Sequence, residues 1–403
     1  MKNIIIIGGG ASGMMCAITA ARNPENHITL IERQARVGRK LLSTGNGRCN
    51  ITNTDACVKN YHGEDVRFAE GILGRYSSEY VLGEFSALGL MTVTEYGGRV
   101  YPLSNQANSV LDVLRLALEK DNITLMAGVC VEEVRKKGAK FTVRWADGSM
   151  ECDKVVIACG GCAGSKLGGV MDGYNILKSL GHSRTPLYPA LTQVRTDPTY
   201  PKSLKGVKAD AALKIVAGKK IIAENAGEIL FADNGISGTA VFEISRAVSS
   251  NGGADMTAVL DFFREYSLAE IESYVNFRCD AMPTAPANTV LTGSVHNRLG
   301  QMLCKYAGIG ADKTAAELTK ADISRLASAC KDFRLKITGG SGFDSAQVTA
   351  GGMKTSEFSS ETLESKLVKG LYACGEVLDI DGDCGGYNLQ WAWASGMTVG
   401  ESL

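Results

Sequence analysis

The residues with the clearest chemical purpose are three glycines. Gly8, Gly10 and Gly13 stand in Gly-x-Gly-x-x-Gly spacing, between four isoleucines at 4–7 and a helical pattern that reaches Arg22. In that setting Gly8 permits a tight turn, Gly10 lets a pyrophosphate approach the backbone, and Gly13 lets helix and strand pack closely. The free amides of the helix start, at Ala11, Ser12 and Gly13, and the helix dipole suit a diphosphate. Glu32 ends the next strand-like run, residues 27–32, where it can accept both hydroxyls of an adenosine ribose. Strand, glycines, helix, strand and terminal acid within about 30 residues describe a dinucleotide site.

Cations and more glycines follow at once. Arg33, Arg36, Arg39, Lys40 and Arg48 fall within 16 residues that contain no acid, interleaved with Gly38, Gly45, Gly47, Asn46 and two hydroxyls, and followed by Asn50. A charge run is usually a solvated face. This one lies directly after the ribose acid, and its amides, guanidinium groups and Asn side chains suit a cofactor stretched along the chain. No second glycine fingerprint follows another strand, so there is no built-in site for both FAD and NAD(P)H.

The core of that loop, Gly45-Asn-Gly-Arg-Cys-Asn-Ile-Thr-Asn53, resembles the BaiN-like or aminoacetone-oxidase-like family of FAD-dependent oxidoreductases. Other segments fit the same family: Val155-Val-Ile-Ala-Cys-Gly-Gly161, Gly227-Glu-Ile-Leu-Phe231 with Gly235-Ile-Ser-Gly238, Val348-Thr-Ala-Gly-Gly352, Gly370-Leu-Tyr-Ala-Cys-Gly-Glu-Val-Leu-Asp379 and Gly385-Gly-Tyr-Asn-Leu-Gln390. The one departure is Cys159, where Thr is commoner. The resemblance implies non-covalent FAD with its diphosphate and adenosine on Gly8, Gly10, Ala11, Ser12, Gly13, Glu32 and Arg33, and Val131 meeting the adenine through its backbone. It places Arg39, Lys40, Leu41, Asn46, Gly47, Arg48 and Asn50 along the cofactor. Ala158, Cys159, Gly160 and Gly161 would pass it, and Gly375 and Glu376 would reach its ribityl or diphosphate region. Gly386, Tyr387, Asn388 and Leu389 open a helix whose amides would face the flavin C2 carbonyl and favour reduction. NAD(P)H is then the expected transient electron donor.

Groups for proton transfer are few. Of four histidines, His62 follows the Arg48–Asn50 loop and is the best placed. His27 is expected at the surface, His182 at the start of a connection, and His296 in a structural role on a helix. Tyr188 and Tyr101, each before a proline, are alternative donors in turns. Cys49 lies beside Arg48, where cations could stabilise a thiolate. Cys159 and Cys162 have Cys-x-x-Cys spacing, but no second pair exists for a metal and the first thiol sits in the FAD turn.

These residues need a scaffold, and the pattern predicts an α/β one: a Rossmann-like FAD-binding domain split in sequence, 1–188 and 347–403. It contains a helix near 110–121, strands at 128–131, 141–145 and 155–158, and a helix after Gly173. Between its halves a substrate or cap domain, 189–346, is expected to be β-rich over 189–264, with alternation running from 192 to 263, and helical over 265–332. The lysines at 202, 205, 208, 214, 219 and 220 read as a solvated face.

Composition narrows the partners. The 403 residues carry 43 Lys plus Arg and 43 Asp plus Glu. Zero net charge argues against binding a nucleic acid by global charge. No apolar run is long enough to suggest a membrane span, and no leader-like segment precedes residue 4, so the expectation is a cytoplasmic protein with a small-molecule substrate. Twelve cysteines at irregular spacing in so long a chain are mostly reduced core thiols, Cys16, Cys130, Cys304 and Cys330 among them. Three activities remain open: NAD(P)H-driven reduction of a C=C bond conjugated to a carbonyl, as on a steroid or bile acid; oxidation of a small amine or amino-ketone by oxygen; and an RNA-modifying or regulatory flavoprotein.

Overall fold

The structure, a computed structural model, describes residues 1–252 and 255–403. It divides into two compact units, residues 1–188 with 347–403, and residues 189–346.

The first unit is built on five parallel strands: β1 (Lys2–Ile7), β2 (Asn26–Glu32), β3 (Ile123–Ala127), β4 (Lys154–Ile157) and β5 (Leu371–Ala373). Their spatial order is β5-β4-β1-β2-β3, a doubly wound Rossmann-like arrangement. Central β1 is covered on both faces, which is why Ile4, Ile5, Ile6 and Ile7 are all apolar and all buried. Helix α1 (Ala11–Ala20) follows β1, and the C-terminal helix α2 (Tyr387–Ser402) packs along it. Two glycines of α2 make that contact: a Cβ on Gly396 would lie 2.5 Å from the Ser12 carbonyl oxygen, and one on Gly400 would lie 2.6 Å from Thr19 Cβ. The two ends of the chain thus meet under the glycine loop.

Two expected elements shift in this unit. The helix near 110–121 runs over Ala107–Ala117, set by the buried stripe Ala107, Val110, Leu111 and Leu114. No strand covers 128–130: Gly128 adopts φ +78° in a turn, and the strand starts only at Val131, running Val131–Lys137. Cys130 is therefore exposed rather than a core thiol.

The second unit is a closed antiparallel barrel. Its strands run Val194–Thr196, Gly235–Ser237, Lys220–Ala232, Lys208–Ala217, Met256–Asp261 and Phe333–Gly340 around the ring. Closure removes free sheet edges. Helices Leu268–Ala281, Asn297–Tyr306 and Lys320–Lys331 form the helical part, the first and last opened by capping boxes at Ser267 with Glu270 and Thr319 with Asp322. The expected alternation from 192 to 263 fails at helix Thr239–Ser250, where Ala240, Val241, Ile244 and Val248 are buried at helical spacing. The barrel strand Phe333–Gly340 lies beyond the helical stretch, with Phe333, Leu335 and Ile337 turned inward in period two. The six lysines named above are exposed, and Lys205 and Lys208 pair with Asp233 and Glu228 at 2.6 and 3.0 Å.

Candidate active site

The β1–α1 turn has the shape a diphosphate needs. A Cβ on Gly8 would stand 2.3 Å from the Ala158 carbonyl oxygen, and one on Gly13 would stand 1.9 Å from the Gly8 oxygen. Only glycine allows strands and helix to approach so closely. Gly10 differs: a Cβ there would meet no atom within 4 Å, so its missing side chain leaves open space at the helix start. Helix α1 begins at that space with no side chain capping its amides.

Glu32 ends β2, and its carboxylate is held by two backbone amides. One carboxylate oxygen accepts from the Gly9 amide at 2.8 Å and the other from the Gln34 amide at 2.7 Å, which fixes its plane. Each oxygen keeps a lone pair for a ribose hydroxyl. Around it lies a cleft lined by Ile7, Gly8, Ile31, Arg33, Val131 and Cys159, among others. Asp172, from the helix Asp172–Ser179, pairs with Arg33 at 2.9 Å at this cleft.

Further along, Lys40 donates to Glu376 at 2.9 Å. The Glu376 carboxylate also accepts from the Thr349 amide at 2.7 Å and the Gly161 amide at 3.3 Å, so three distant segments converge on one side chain. Gly375 packs on α1, where a Cβ would be 2.4 Å from Ser12 Oγ. Gly160 lies near the same carboxylate, 3.8 Å from Oε2 to its Cβ position. Leu41 is buried beneath, while Asn46, at φ 57°, and Gly47, at φ 83°, form an exposed left-handed turn. Arg39 turns outward and donates to Gln34 at 2.8 Å.

Helix α2 organises the other end. The Trp391 indole donates to the Gly375 oxygen at 3.2 Å, and Trp393 donates to the Ile51 oxygen at 2.9 Å. Gln390 accepts from Thr52 Oγ1 and donates to the Tyr76 oxygen, each at 2.6 Å. Three side chains of one helix thereby pin the Asn50–Asn53 loop and the Gly375 turn. A Cβ on Gly386, φ +107°, would sit 2.5 Å from the Thr52 carbonyl, so α2 can begin there only on glycine. Asn388 closes the same turn through its side chain, accepting from the Gly382 amide at 2.8 Å and donating to the Gly382 oxygen at 2.8 Å. Tyr387 donates to Asp55 at 2.7 Å, and Leu389 is half-buried. Asn50 is buried, and its Oδ1 has no hydrogen-bond partner.

The candidate proton donors separate clearly. Tyr101 is buried, with the Arg48 guanidinium stacked 3.9 Å from its ring centroid. Burial pushes its phenol up and the charges of Arg99 and Arg48 pull it back, leaving it above the ordinary value and therefore protonated. Arg48 itself is held by Glu95 and Asn105. His62 is half-exposed and bonded to Asp383 at 2.8 Å. Tyr188 ends the first segment of the unit, half-buried, and shares no hydrogen bond with either among the described residues. Cys49 departs from its expectation: it is fully buried at φ 61°, and burial pushes its thiol up to about 12, so the neighbouring cations produce no thiolate. Burial likewise pushes Cys159 up to about 12, and its thiol points to the Ile7 oxygen at 3.4 Å.

His27 is half-buried rather than at the surface, and His182 is buried between Glu357 and Ser365. His296 caps its helix by accepting from the Arg298 amide at 3.2 Å. Sequence reasoning passed over Asp172, Thr349, Gln390 and Arg99. Arg99 stands two residues before Tyr101, which the sequence does single out.

These residues fit FAD. The open space at Gly10, the uncapped α1 amides and the unpaired buried Asn50 oxygen are features that a long polar cofactor satisfies. No group of three metal-ligating side chains exists among the described residues, and no helix among them is long and apolar enough to cross a membrane.

The whole chain matches known proteins. Residues 2–402 match the family described as HI0933-like protein Rossmann domain. A 3-dehydro-bile acid delta(4,6)-reductase of Clostridium scindens is 40% identical, over 100% of this chain and 99% of its own length. A ribosomal RNA dihydrouridine synthase of Escherichia coli is 29% identical over 99% of this chain and 97% of its length. Among solved structures, a 3-ketosteroid delta1-dehydrogenase from Sterolibacterium denitrificans shares the fold with a TM-score of 0.52 at 11% identity, covering 100% of this chain and 99% of that one. A flavocytochrome c3 fumarate reductase does so at 0.51 and 15%, covering 99% and 77%. The chain belongs to the HI0933-like family and is an FAD-dependent oxidoreductase.

Proposed function

We propose that the enzyme reduces a C=C bond conjugated to a carbonyl on a small apolar substrate of the steroid or bile-acid type, with NAD(P)H as transient donor to the flavin. The observation that carries this reading is Tyr101, a buried phenol with the Arg48 guanidinium 3.9 Å from its ring centroid and Arg99 two residues before it on the same strand. Bound FAD supplies the hydride. The chain's own residues then have to hold FAD, exclude water and give one proton to the carbon next to the carbonyl, and Tyr101 serves as that acid. Its proton returns from solvent, so the substrate gains two hydrogens and the carbonyl is regenerated. The whole-length likeness to the Clostridium scindens reductase supports the substrate class. Twelve free cysteines suit a reducing, cytoplasmic compartment.

A second reading has support of its own, from the two relatives named ribosomal RNA dihydrouridine synthase. Saturating uracil is the same reaction, since its C=C bond is conjugated to a carbonyl. Against a polyanion stand the zero net charge and the pairing of Lys205 and Lys208 with acids.

Anaerobic stopped-flow mixing tests the proposal. NADH or NADPH should bleach the flavin absorbance, and a 3-oxo-4,6-diene bile acid should restore it. Bleaching by neither nicotinamide overturns the electron donor. Reoxidation by a ribosomal RNA fragment but not by the bile acid replaces the substrate class, and flavin reduction by an amino-ketone followed by rapid reoxidation on adding oxygen would make the enzyme an oxidase.

A further inference from the structure

Arg99 is the only one of the two guanidinium groups beside Tyr101 that has nothing to hold. It lies on the strand Arg99–Pro102, two residues before Tyr101, where it is half-buried. Among the described residues its side chain has no hydrogen-bond or ion-pair partner, whereas Arg48 is engaged by Glu95 and Asn105. Its Nε borders a notch created by Gly385. A Cβ on that glycine would lie 3.5 Å from Arg99 Nε, 3.5 Å from Asn53 Nδ2 and 3.5 Å from the Tyr387 ring. Asn53 Nδ2 is committed to the Gly97 and Gly385 oxygens, both at 3.1 Å. Arg99 is thus the free donor at the notch, next to the turn from which α2 springs.

We propose that Arg99 is a catalytic residue that takes the negative charge developing on the substrate's carbonyl oxygen. The assignment rests on the enone-reductase reading above and extends it: the substrate must carry an oxygen that can become an enolate. Hydride adds to the carbon β to the carbonyl, the C=C electron pair moves to form the enolate, and its oxygen is stabilised by the Arg99 guanidinium. The enolate then collapses as the Tyr101 O–H bond breaks and a C–H bond forms at the α carbon, and the phenolate recovers a proton from water. One guanidinium aimed at the oxygen and one phenol for the carbon divide the two charges of the reaction between neighbours on one strand. A half-buried cation offered to a developing oxyanion is the type of group whose loss costs about a hundredfold to a thousandfold in kcat.

The test uses the FAD-loaded enzyme and two variants, Arg99→Gln and Arg99→Lys. With a 3-oxo-4,6-diene bile acid, Arg99→Gln should lower kcat by about a hundredfold or more with KM changed by less than about fivefold, and Arg99→Lys should recover at least tenfold of the loss. A second readout does not depend on turnover. 4-Chlorophenol, whose phenolate mimics an enolate, should give a long-wavelength charge-transfer band with the oxidised wild-type flavin. Its apparent affinity should fall by about a hundredfold in Arg99→Gln and less in Arg99→Lys. If Arg99→Gln turns over and binds the phenolate within threefold of wild type, or if wild type binds no phenolate, the Arg99 assignment is overturned. A wild-type enzyme that binds the phenolate through Arg99 yet reduces no enone overturns the enone reading and leaves the anion site standing.

Discussion

The proposed adenosine end and the proposed flavin end of the cofactor site are made in different ways. At the adenosine end one continuous stretch of chain, β1 through Glu32, supplies the turn, the amides and the ribose acid. Gly8 and Gly13 are packed against backbone and Gly9 against the Val37 and Glu32 side chains, with Gly10 alone facing open space. At the flavin end the elements come from 48–53, 99–101, 375–376 and 385–390, and they are held by side chains of α2, namely Gln390, Trp391 and Trp393. The first end is specified locally by backbone geometry, which any polymer of this pattern would repeat. The second depends on tertiary contacts, which lets its chemistry vary while the cofactor stays the same.

Glycine substitutions separate the two ends most forcefully. Gly13→Ala places a Cβ 1.9 Å from the Gly8 oxygen, so the turn itself should fail and no FAD-loaded protein should be recovered. Gly10→Val is a cleaner break. The apo-protein has room for the side chain, so its melting temperature should stay near wild type while flavin binding is lost. A variant that keeps stoichiometric yellow colour would remove the diphosphate from this turn. At the other end, Gly386→Ala drives a Cβ into the Thr52 carbonyl at φ +107°. It should retain FAD through the adenosine end, with affinity weakened about tenfold, and lose most turnover. Equal FAD loss in Gly10→Val and Gly386→Ala would erase the contrast.

The same contrast decides what the sequence could reveal. Gly8, Gly10, Gly13 and Glu32 declare themselves because each is required by local backbone geometry at fixed spacing. Arg99 does not, because an arginine two residues from a tyrosine on a short strand has no pattern; only the notch at Gly385, 286 residues away, gives it a purpose. Cys49 misled for the same reason: its neighbours in sequence are cations, but its neighbours in space bury it. In the second unit, helix Thr239–Ser250 hid among strands because Ala240, Phe242 and Ile244 also fit period two, although the buried positions 240, 241, 244 and 248 are helically spaced. Strand Phe333–Gly340 has period-two apolar spacing but is not among the expected elements, since its role in closing the barrel requires partners more than 70 residues earlier.

Electrostatics offers a smaller lever on the adenosine end. Arg33 and Asp172 meet at 2.9 Å beside the ribose cleft, both more than a third exposed. An exposed pair is worth under about 1 kcal/mol and is screened by salt. Asp172→Asn should therefore speed FAD release by roughly two- to fivefold at low ionic strength. Raising the salt should bring wild type toward the variant. Release that is insensitive to both would mean that the pair does not clasp the cofactor.

The segment leading to the flavin end answers instead to acid. His182 is buried, stacked on Phe358 with ring centroids 4.6 Å apart. Its Nδ1 lies 2.8 Å from Glu357 and its Nε2 2.8 Å from Ser365 Oγ. Ser365 Oγ already accepts from the Leu367 and Val368 amides, so its own hydrogen goes to Nε2 and the imidazole is the neutral Nδ1–H form. Burial lowers the His182 pKa, outweighing the opposing pull of Glu357. Glu357 is the one titratable group in contact with the ring among the described residues. Burial raises its carboxyl, but bonds from Ser183 and His182 outweigh that and keep it ionised. The unfolded chain thus binds more protons than the folded one just below the ordinary histidine pKa of about 6.5. Stability is complete above that pH and declines as pH falls toward the depressed folded value. The melting temperature of wild type should drop more steeply between about pH 7 and 5 than that of His182→Asn, which starts lower and lacks this group. Salt should leave the difference intact, because the site is buried, whereas it should abolish the effect of Asp172→Asn. A His182→Asn curve parallel to wild type would show that this proton does not set the acid sensitivity of the fold.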